Sequence, residues 1–271
     1  MKEISIEEAK RIGLSTLLFF HEFCEEHNLE YYLAYGSLIG TIRHKGFIPW
    51  DDDIDLWMKR SDYNRLLSMH EAFLNTDYSV IAPEVCPQFE FPFAKIIRNG
   101  TAITPSRFVN GYIYGCSIDI FPLDAISDEI DEKKVDKEYK LTRQKHLEII
   151  NKYHNYTGGY KLNGLKGLLK KAVCAASSMR YGPLAQRMLE YSNLYANNII
   201  DEHTTFVATI DGATIYRKEW FDRKCLVSFE GYSFFAPEEY DSILRKRYGS
   251  YMEYPPESER IIPHRFKAYY V

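Results

Sequence analysis

The chain has 271 residues, a net charge of -4, 45% hydrophobic residues and 27% charged residues. Such a composition describes a soluble globular protein with ample core, and it lacks the basic field that nucleic-acid binding requires. Five scattered cysteines with no Cys-x-x-Cys pair argue against a disulfide framework or a zinc site and for a reducing compartment.

Ser5 to Glu8 reads as a capping box, and apolar residues at helical spacing predict a helix from Ile6 to about His27. Tyr31 to Tyr35 predicts a strand that Gly36-Ser37 breaks, with a short helix over Leu38 to His44. Ile54 to Met58 predicts a second strand, and Ser61 to Leu74 a second helix with Ser61 as N-cap. Tyr78 to Ile81, Phe93 to Ile97 and Ser117 to Phe121 are further strands by composition and alternation. Residues 128–154 carry a long charged helical pattern. Residues 157–189 contain six basic and no acidic residues, with leucines at helical spacing. That segment reads as a helix packed on the core with a solvated lysine face, or as an in-plane helix in peripheral contact with an anionic membrane. A last helix runs from Pro237 to about Tyr248 and stops at Gly249. The expected organisation is an α+β core at 1–127, a helical, basic middle section at 128–200, and a segment at 201–271 that completes the core. No apolar run is long enough to span a membrane, and MKEISIEEAKR has no signal-peptide character. A cytoplasmic location is expected, at most in contact with the inner face of the cell membrane.

The informative stretch is GSLIGTIRHKGFIPWDDDIDLW, residues 36–57. A bare Asp-Asp-Asp run is ordinarily a solvated turn. Here it enters an apolar strand, and period-two alternation puts Asp53 and Asp55 on one face, with Asp51 on the same face if the strand extends back. Carboxylates crowded on a strand face repel one another unless a cation sits among them, and hard oxygen ligands select Mg2+ or Mn2+. Gly36-Ser37, sixteen residues before Asp53, is a strand-to-helix turn suited to presenting amides and a hydroxyl to a phosphate. Asp119, flanked by Ile118 and Ile120, is the candidate third carboxylate and general base; the alternative is an Asp capped by local amides at a strand end. Asp124 reads as a turn or cap residue. Arg43, His44, Lys95 and Arg98 are candidates for holding donor phosphates, Lys95 first because it interrupts an apolar strand; the alternative for each is a solvated side chain. The 22 tyrosines read as core and surface residues, or as rings for a sugar or a quaternary ammonium group, for which Trp57, Tyr112 and Tyr114 are the nearby candidates.

The 36–57 stretch closely resembles the signature of the LicD family of phosphocholine-type transferases, which fukutin-related proteins share more distantly. The resemblance continues through FAKIIRNGT, CSIDIFPLD, the segment from EWF to PPESER, and His264. It implies a nucleotidyltransferase-like fold, a mixed β-sheet flanked by helices with a helical middle insertion. It also implies Mg2+-dependent transfer of a phospho-alcohol from a CDP-activated donor to a hydroxyl of a glycan or lipid-linked saccharide, with release of CMP. On that reading Asp51, Asp53, Asp55 and Asp119 hold metal, Asp53, Asp55 and Asp119 are catalytic, and Gly36, Ser37, Arg43, His44, Lys95, Arg98 and His264 bind the donor. The same residues would also serve an enzyme moving NMP onto a small molecule or protein. A non-catalytic carbohydrate-binding protein would leave the acidic strand unexplained.

Overall fold

The computed structural model describes residues 2–86, 89, 91–104, 115–141, 144, 184–210, 214–260 and 267–271. In chain order the strands are β1 (Lys2–Ile4), β2 (Tyr32–Leu33), β3 (Asp55–Lys59), β4 (Tyr78–Ile81), β5 (Ala94–Arg98), β6 (Thr101–Thr104) and β7 (Ser117–Ser127). They continue with β8 (Phe206–Thr209), β9 (Tyr216–Arg217), β10 (Lys224–Phe229), β11 (Tyr232–Pro237) and β12 (Lys267–Tyr270). The helices are α1 (Ile6–Glu26), α2 (Tyr35–His44), α3 (Arg60–Ser68), α4 (residues 132–141), α5 (Leu184–Tyr195) and α6 (Tyr240–Tyr248).

The fold is mixed α/β. Its main sheet has seven strands in the order β2-β3-β7-β5-β4, with β8 on β7 and β9 on β8. β3 and β7 run parallel and the other pairs antiparallel. Leu56, Trp57 and Met58 of β3 are all fully buried, as a central strand covered on both faces requires. β7 is longer than its sequence pattern predicts. Residues 117–123 pair with β3 or β5, and residues 123–127 pair with β8, with an irregularity between Ala125 and Ser127. β8 and β9 thus extend the sheet that β2, β3, β4, β5 and β7 begin. β1, β12 and β6 form a three-stranded sheet, and β10–β11 a hairpin.

α1 is capped as its sequence suggests, with the Glu8 amide donating to Ser5 Oγ at 3.2 Å; its apolar stripe, including Leu17 and Phe20, is fully buried. α3 departs from expectation. It begins at Arg60 directly off β3, Lys59 is the N-cap residue without a side-chain cap, and a separate 3-10 turn covers His70–Phe73. Ser61 is therefore a helix residue. Asp124 is not a turn residue either. It sits inside β7, and its carboxylate accepts from Arg60 Nε at 2.5 Å and Nη2 at 2.9 Å, with both side chains at most 1% exposed. Burial pushes the Asp124 carboxyl up to about 6, against the pull of Arg60. Cys24, Cys116 and Cys225 form no disulfide. Among the described residues no helix is long and apolar enough to cross a membrane. The basic segment 157–189 lies outside the described residues but for the start of α5.

Candidate active site

Two backbone bonds and one backbone-to-side-chain bond bring the site together at one end of β3. The Ala34 amide donates to the Asp55 carbonyl at 2.9 Å, the Asp119 amide to the Ile54 carbonyl at 2.8 Å, and the Asp55 amide to Ser37 Oγ at 2.9 Å. The strand-to-helix turn at residues 34–37, the entrance of β3 and the middle of β7 therefore meet. Asp55 and Asp119 are register partners across the parallel β3–β7 pair, and Lys95 is the partner of Asp119 on β5, so the three side chains leave the sheet on one face. Trp57 and Phe121 follow on that face, and Tyr35 packs edge-on against both at 5.0 and 5.2 Å between ring centres. The carboxylates thus stand beside an aromatic floor, where charge interactions are weakly screened.

β3 begins at Asp55, so Asp51–Ile54 is an extended approach to the strand and not part of it. Alternation still holds there: Ile54 is 1% exposed, while Asp53 and Asp55 are partly exposed. Carboxylate oxygens of Asp51, Asp52 and Asp53 lie within 4.8 Å of one another. Burial, then the charge of Asp53, pushes the Asp51 carboxyl up to about 7. Burial and the charges of Asp53, Asp119 and Asp51 push Asp55 well above the carboxylate range, with Lys95 opposing. Asp51 and Asp55, which resist ionisation, stand with Asp53 in a set of carboxylate oxygens, and such donors fit a hard divalent cation.

The Gly-Ser turn has a defined use for each residue. A Cβ at Gly36 would lie 2.5 Å from Asp51 Oδ2, so glycine lets that carboxylate close on the first turn of α2. Ser37 is buried, and its oxygen accepts from Asp55, which leaves the hydroxyl hydrogen to donate elsewhere. α2 has no side-chain cap, since Ala34 is its N-cap residue. Tyr35 holds a left-handed φ of 43°, a conformation costly for a bulky residue unless its surroundings enforce it. Here they do: the Tyr35 hydroxyl is 2.6 Å from Thr209 Oγ1 and its ring is packed as above. The loop after α2 is held just as firmly. Gly46 passes so close to Gly40 that a Cβ there would meet the Gly46 carbonyl at 2.4 Å. The β10–β11 turn residue Glu230 bonds both the Lys45 carbonyl, at 2.8 Å, and the Phe47 amide, at 3.0 Å.

The cationic candidates separate. Lys95 ion-pairs with Asp119 and lies over the rings of Phe91 and Phe93 at 4.8 and 5.4 Å. Arg98 is an odd step from Lys95 and leaves β5 on the opposite face, where it pairs with Asp77 at 2.7 Å and covers Tyr78. The structure does not bring it to the carboxylates. Arg43 sits at the far end of α2, donating to the carbonyls of Tyr251 at 2.7 Å and Glu253 at 3.0 Å. His44 accepts from Arg43 Nε at 2.9 Å, stacks on Tyr254, and is pushed down in pKa by burial and by Arg43. Both residues fasten the helix end to the C-terminal segment. Trp57 is fully buried among Tyr35, Tyr216 and Phe221 and cannot wall an open cage. Tyr112, Tyr114 and His264 lie outside the described residues. Sequence reasoning did not single out Tyr35 or Phe121, for which a positive φ and a tertiary contact leave no local signature, and it offered Trp57 as a cage ring where the structure makes it part of the floor.

The model described as "LicD/FKTN/FKRP, nucleotidyltransferase domain" matches residues 28–149, a span holding the Gly-Ser turn, the acidic run, Lys95 and Asp119. The chain is 29% identical over 275 residues to the lipopolysaccharide cholinephosphotransferase LicD of Haemophilus influenzae, covering all of both chains. It is 32% identical over 81 residues to an uncharacterized protein of Rickettsia prowazekii, covering 30% of each. An uncharacterized protein of Rickettsia typhi is 36% identical over 63 residues, 23% of this chain and 20% of that one. With the domain match enclosing every carboxylate of the site and one similarity running end to end, the comparisons support the LicD family for this chain.

Proposed function

We propose that this chain is a Mg2+-dependent transferase of the nucleotidyltransferase type. In this reading it moves phosphocholine or a related phospho-alcohol from a CDP-activated donor to a hydroxyl of a cell-surface or lipid-linked glycan such as a lipopolysaccharide, and CMP leaves. The observation that carries the reading is the convergence of Asp51, Asp53, Asp55 and Asp119 on the start of α2, where Ser37 retains a hydrogen to donate. The full-length similarity to a lipopolysaccharide cholinephosphotransferase supports the choice of transferred group and acceptor.

Asp51, Asp53 and Asp55, with Asp119 beside them, would hold Mg2+ (or Mn2+), which supplies neutralisation of the donor phosphates and Lewis-acid polarisation at phosphorus. Ser37 Oγ–H and the uncapped amides of α2 orient a donor phosphate oxygen. Lys95, ion-paired with Asp119, orients its carboxylate, and Asp119 accepts the proton of the acceptor hydroxyl as its oxygen bonds to phosphorus and the bond from phosphorus to CMP breaks. The aromatic floor excludes water and strengthens each of these interactions.

The test uses CDP-choline labelled separately in choline and in cytidine, with a lipopolysaccharide acceptor, with and without Mg2+. Metal-dependent appearance of the choline label on the glycan supports the reading. Appearance of the cytidine label instead would replace it by nucleotidyl transfer. Glycan binding indifferent to Mg2+, with no transfer of either label, would replace it by carbohydrate binding.

A further inference from the structure

α6 ends in Arg245-Lys246-Arg247-Tyr248. Basic residues in a last helical turn ordinarily complement the helix dipole and face water. Arg245 and Lys246 do so, paired with Asp241 and Glu132. Arg247 turns inward. Its guanidinium carbon lies 4.4 Å from the ring centre of Tyr35 and 5.3 Å from that of Tyr248. Its Nε is buried and has no hydrogen-bond acceptor. Tyr35 immediately precedes Gly36-Ser37, and Tyr248 shares its surroundings with the acidic run: burial, and after it the charges of Asp55 and Asp51, push the Tyr248 hydroxyl up against the pull of Arg247.

A permanent cation therefore packs on the ring of Tyr35, the residue before Gly36-Ser37; it interacts with the hydroxyls of Tyr216 and Tyr248, and its Nε has no acceptor. A buried donor without an acceptor is costly, and a charged one more so. Lys95, the cation on the sheet face of the carboxylates, is ion-paired with Asp119, and Arg43 is held by carbonyls at the far end of α2. Building on the function proposed above, we infer that Arg247 is a donor-binding residue whose guanidinium receives phosphate oxygens of the nucleotide-linked donor. The planar fork suits a phosphate, the tyrosine rings fix its plane, and its charge offsets the cluster that would otherwise repel the pyrophosphate.

The test compares the full-length wild type with Arg247→Met and Arg247→Lys. Calorimetric titrations use CDP-choline with Mg2+ and, separately, inorganic pyrophosphate with Mg2+. Arg247→Met should weaken both by about 10- to 100-fold, as expected for a charge-assisted hydrogen bond, with Arg247→Lys in between. The ligand-free melting temperature and Mn2+ binding without phosphate should stay close to wild type. Wild-type affinity for both probes in Arg247→Met overturns the inference and leaves the transferase reading standing. A large fall in the ligand-free melting temperature together with lost Mn2+ binding also overturns it, because Arg247 would then be a structural clamp. Wild-type binding of pyrophosphate through Arg247 without binding of CDP-choline keeps the anion site and removes that donor. Binding of neither probe by the wild type overturns both.

Discussion

Alanine in place of Gly36 sets the fold and the site against each other. The new Cβ would lie 2.5 Å from Asp51 Oδ2, whereas ordinary contact begins at 3.4 Å, so about 0.9 Å of movement is required. The obstacle is the tip of a side chain, which can swing away at little cost. Gly→Ala in a helix also returns about 0.5–1 kcal/mol through the unfolded state. The melting temperature should therefore change by no more than about 4 °C, since 1 kcal/mol moves a chain of this size by roughly 2–4 °C. The site has no such tolerance. Misplacing a positioning group by about 1 Å costs on the order of 100-fold in rate, so kcat/KM for labelled CDP-choline should fall by about that factor and Mn2+ affinity should weaken. Thermal denaturation, turnover and Mn2+ titration on one preparation separate the two effects. A folded Gly36→Ala protein with wild-type turnover would show that Asp51 does not act from above α2, and the reasoning would fail.

Gly40→Ala, one turn along α2, should behave oppositely: its Cβ meets a backbone carbonyl at 2.4 Å, and overpacking of about 1–3 kcal/mol should lower the melting temperature by roughly 2–12 °C; an unchanged melting curve would contradict it. Asp55→Asn should abolish turnover yet stabilise the metal-free protein, because it removes a carboxyl that burial and three neighbouring acids hold well above its ordinary pKa. The wild-type fold keeps that proton better than the unfolded chain does and loses stability as pH rises through the raised pKa, so the gain should be larger at pH 8 than at pH 5. Turnover retained at high Mg2+ would remove Asp55 from the mechanism, and the same result for Asp53→Asn would remove Asp53. Arg60→Met strands the buried Asp124 carboxylate and should cost about 3–5 kcal/mol. That penalty should be smaller at pH 5 than at pH 8, since Asp124, already at about 6, rises further and takes a proton; urea denaturation at the two pH values checks the sign.

What the sequence makes legible follows from locality. Ser5 caps α1 because the cap and its partner are three residues apart, and Gly249, with φ 64°, ends α6 as a turn glycine. Strand positions came within a residue or so for β3, β4 and β5, whose alternation is local. Ser61 misled because chain direction changes directly from β3 into α3, with no loop for a cap residue to occupy. Asp124 misled because its partner, Arg60, is 64 residues away in sequence. The same limit applies at the site. The proximity of Gly36-Ser37 to the acidic run is nearly written in sequence, since one helix and a short loop separate them. The pairing of Lys95 with Asp119, the separation of Arg98 onto the other sheet face, and the inward turn of Arg247 depend on strand register and on packing between distant segments.

The central claim is that the crowded carboxylates form a site for a divalent cation and the donor phosphates together. Calorimetric titration of metal-free protein with Mn2+, in the presence and absence of CDP-choline, tests it most directly. Saturable binding that tightens when CDP-choline is present, and that Asp53→Asn and Asp55→Asn each abolish while remaining folded, is the predicted result. Absence of Mn2+ binding by the wild type at millimolar concentrations with CDP-choline present, or binding unaltered by both substitutions, would contradict it.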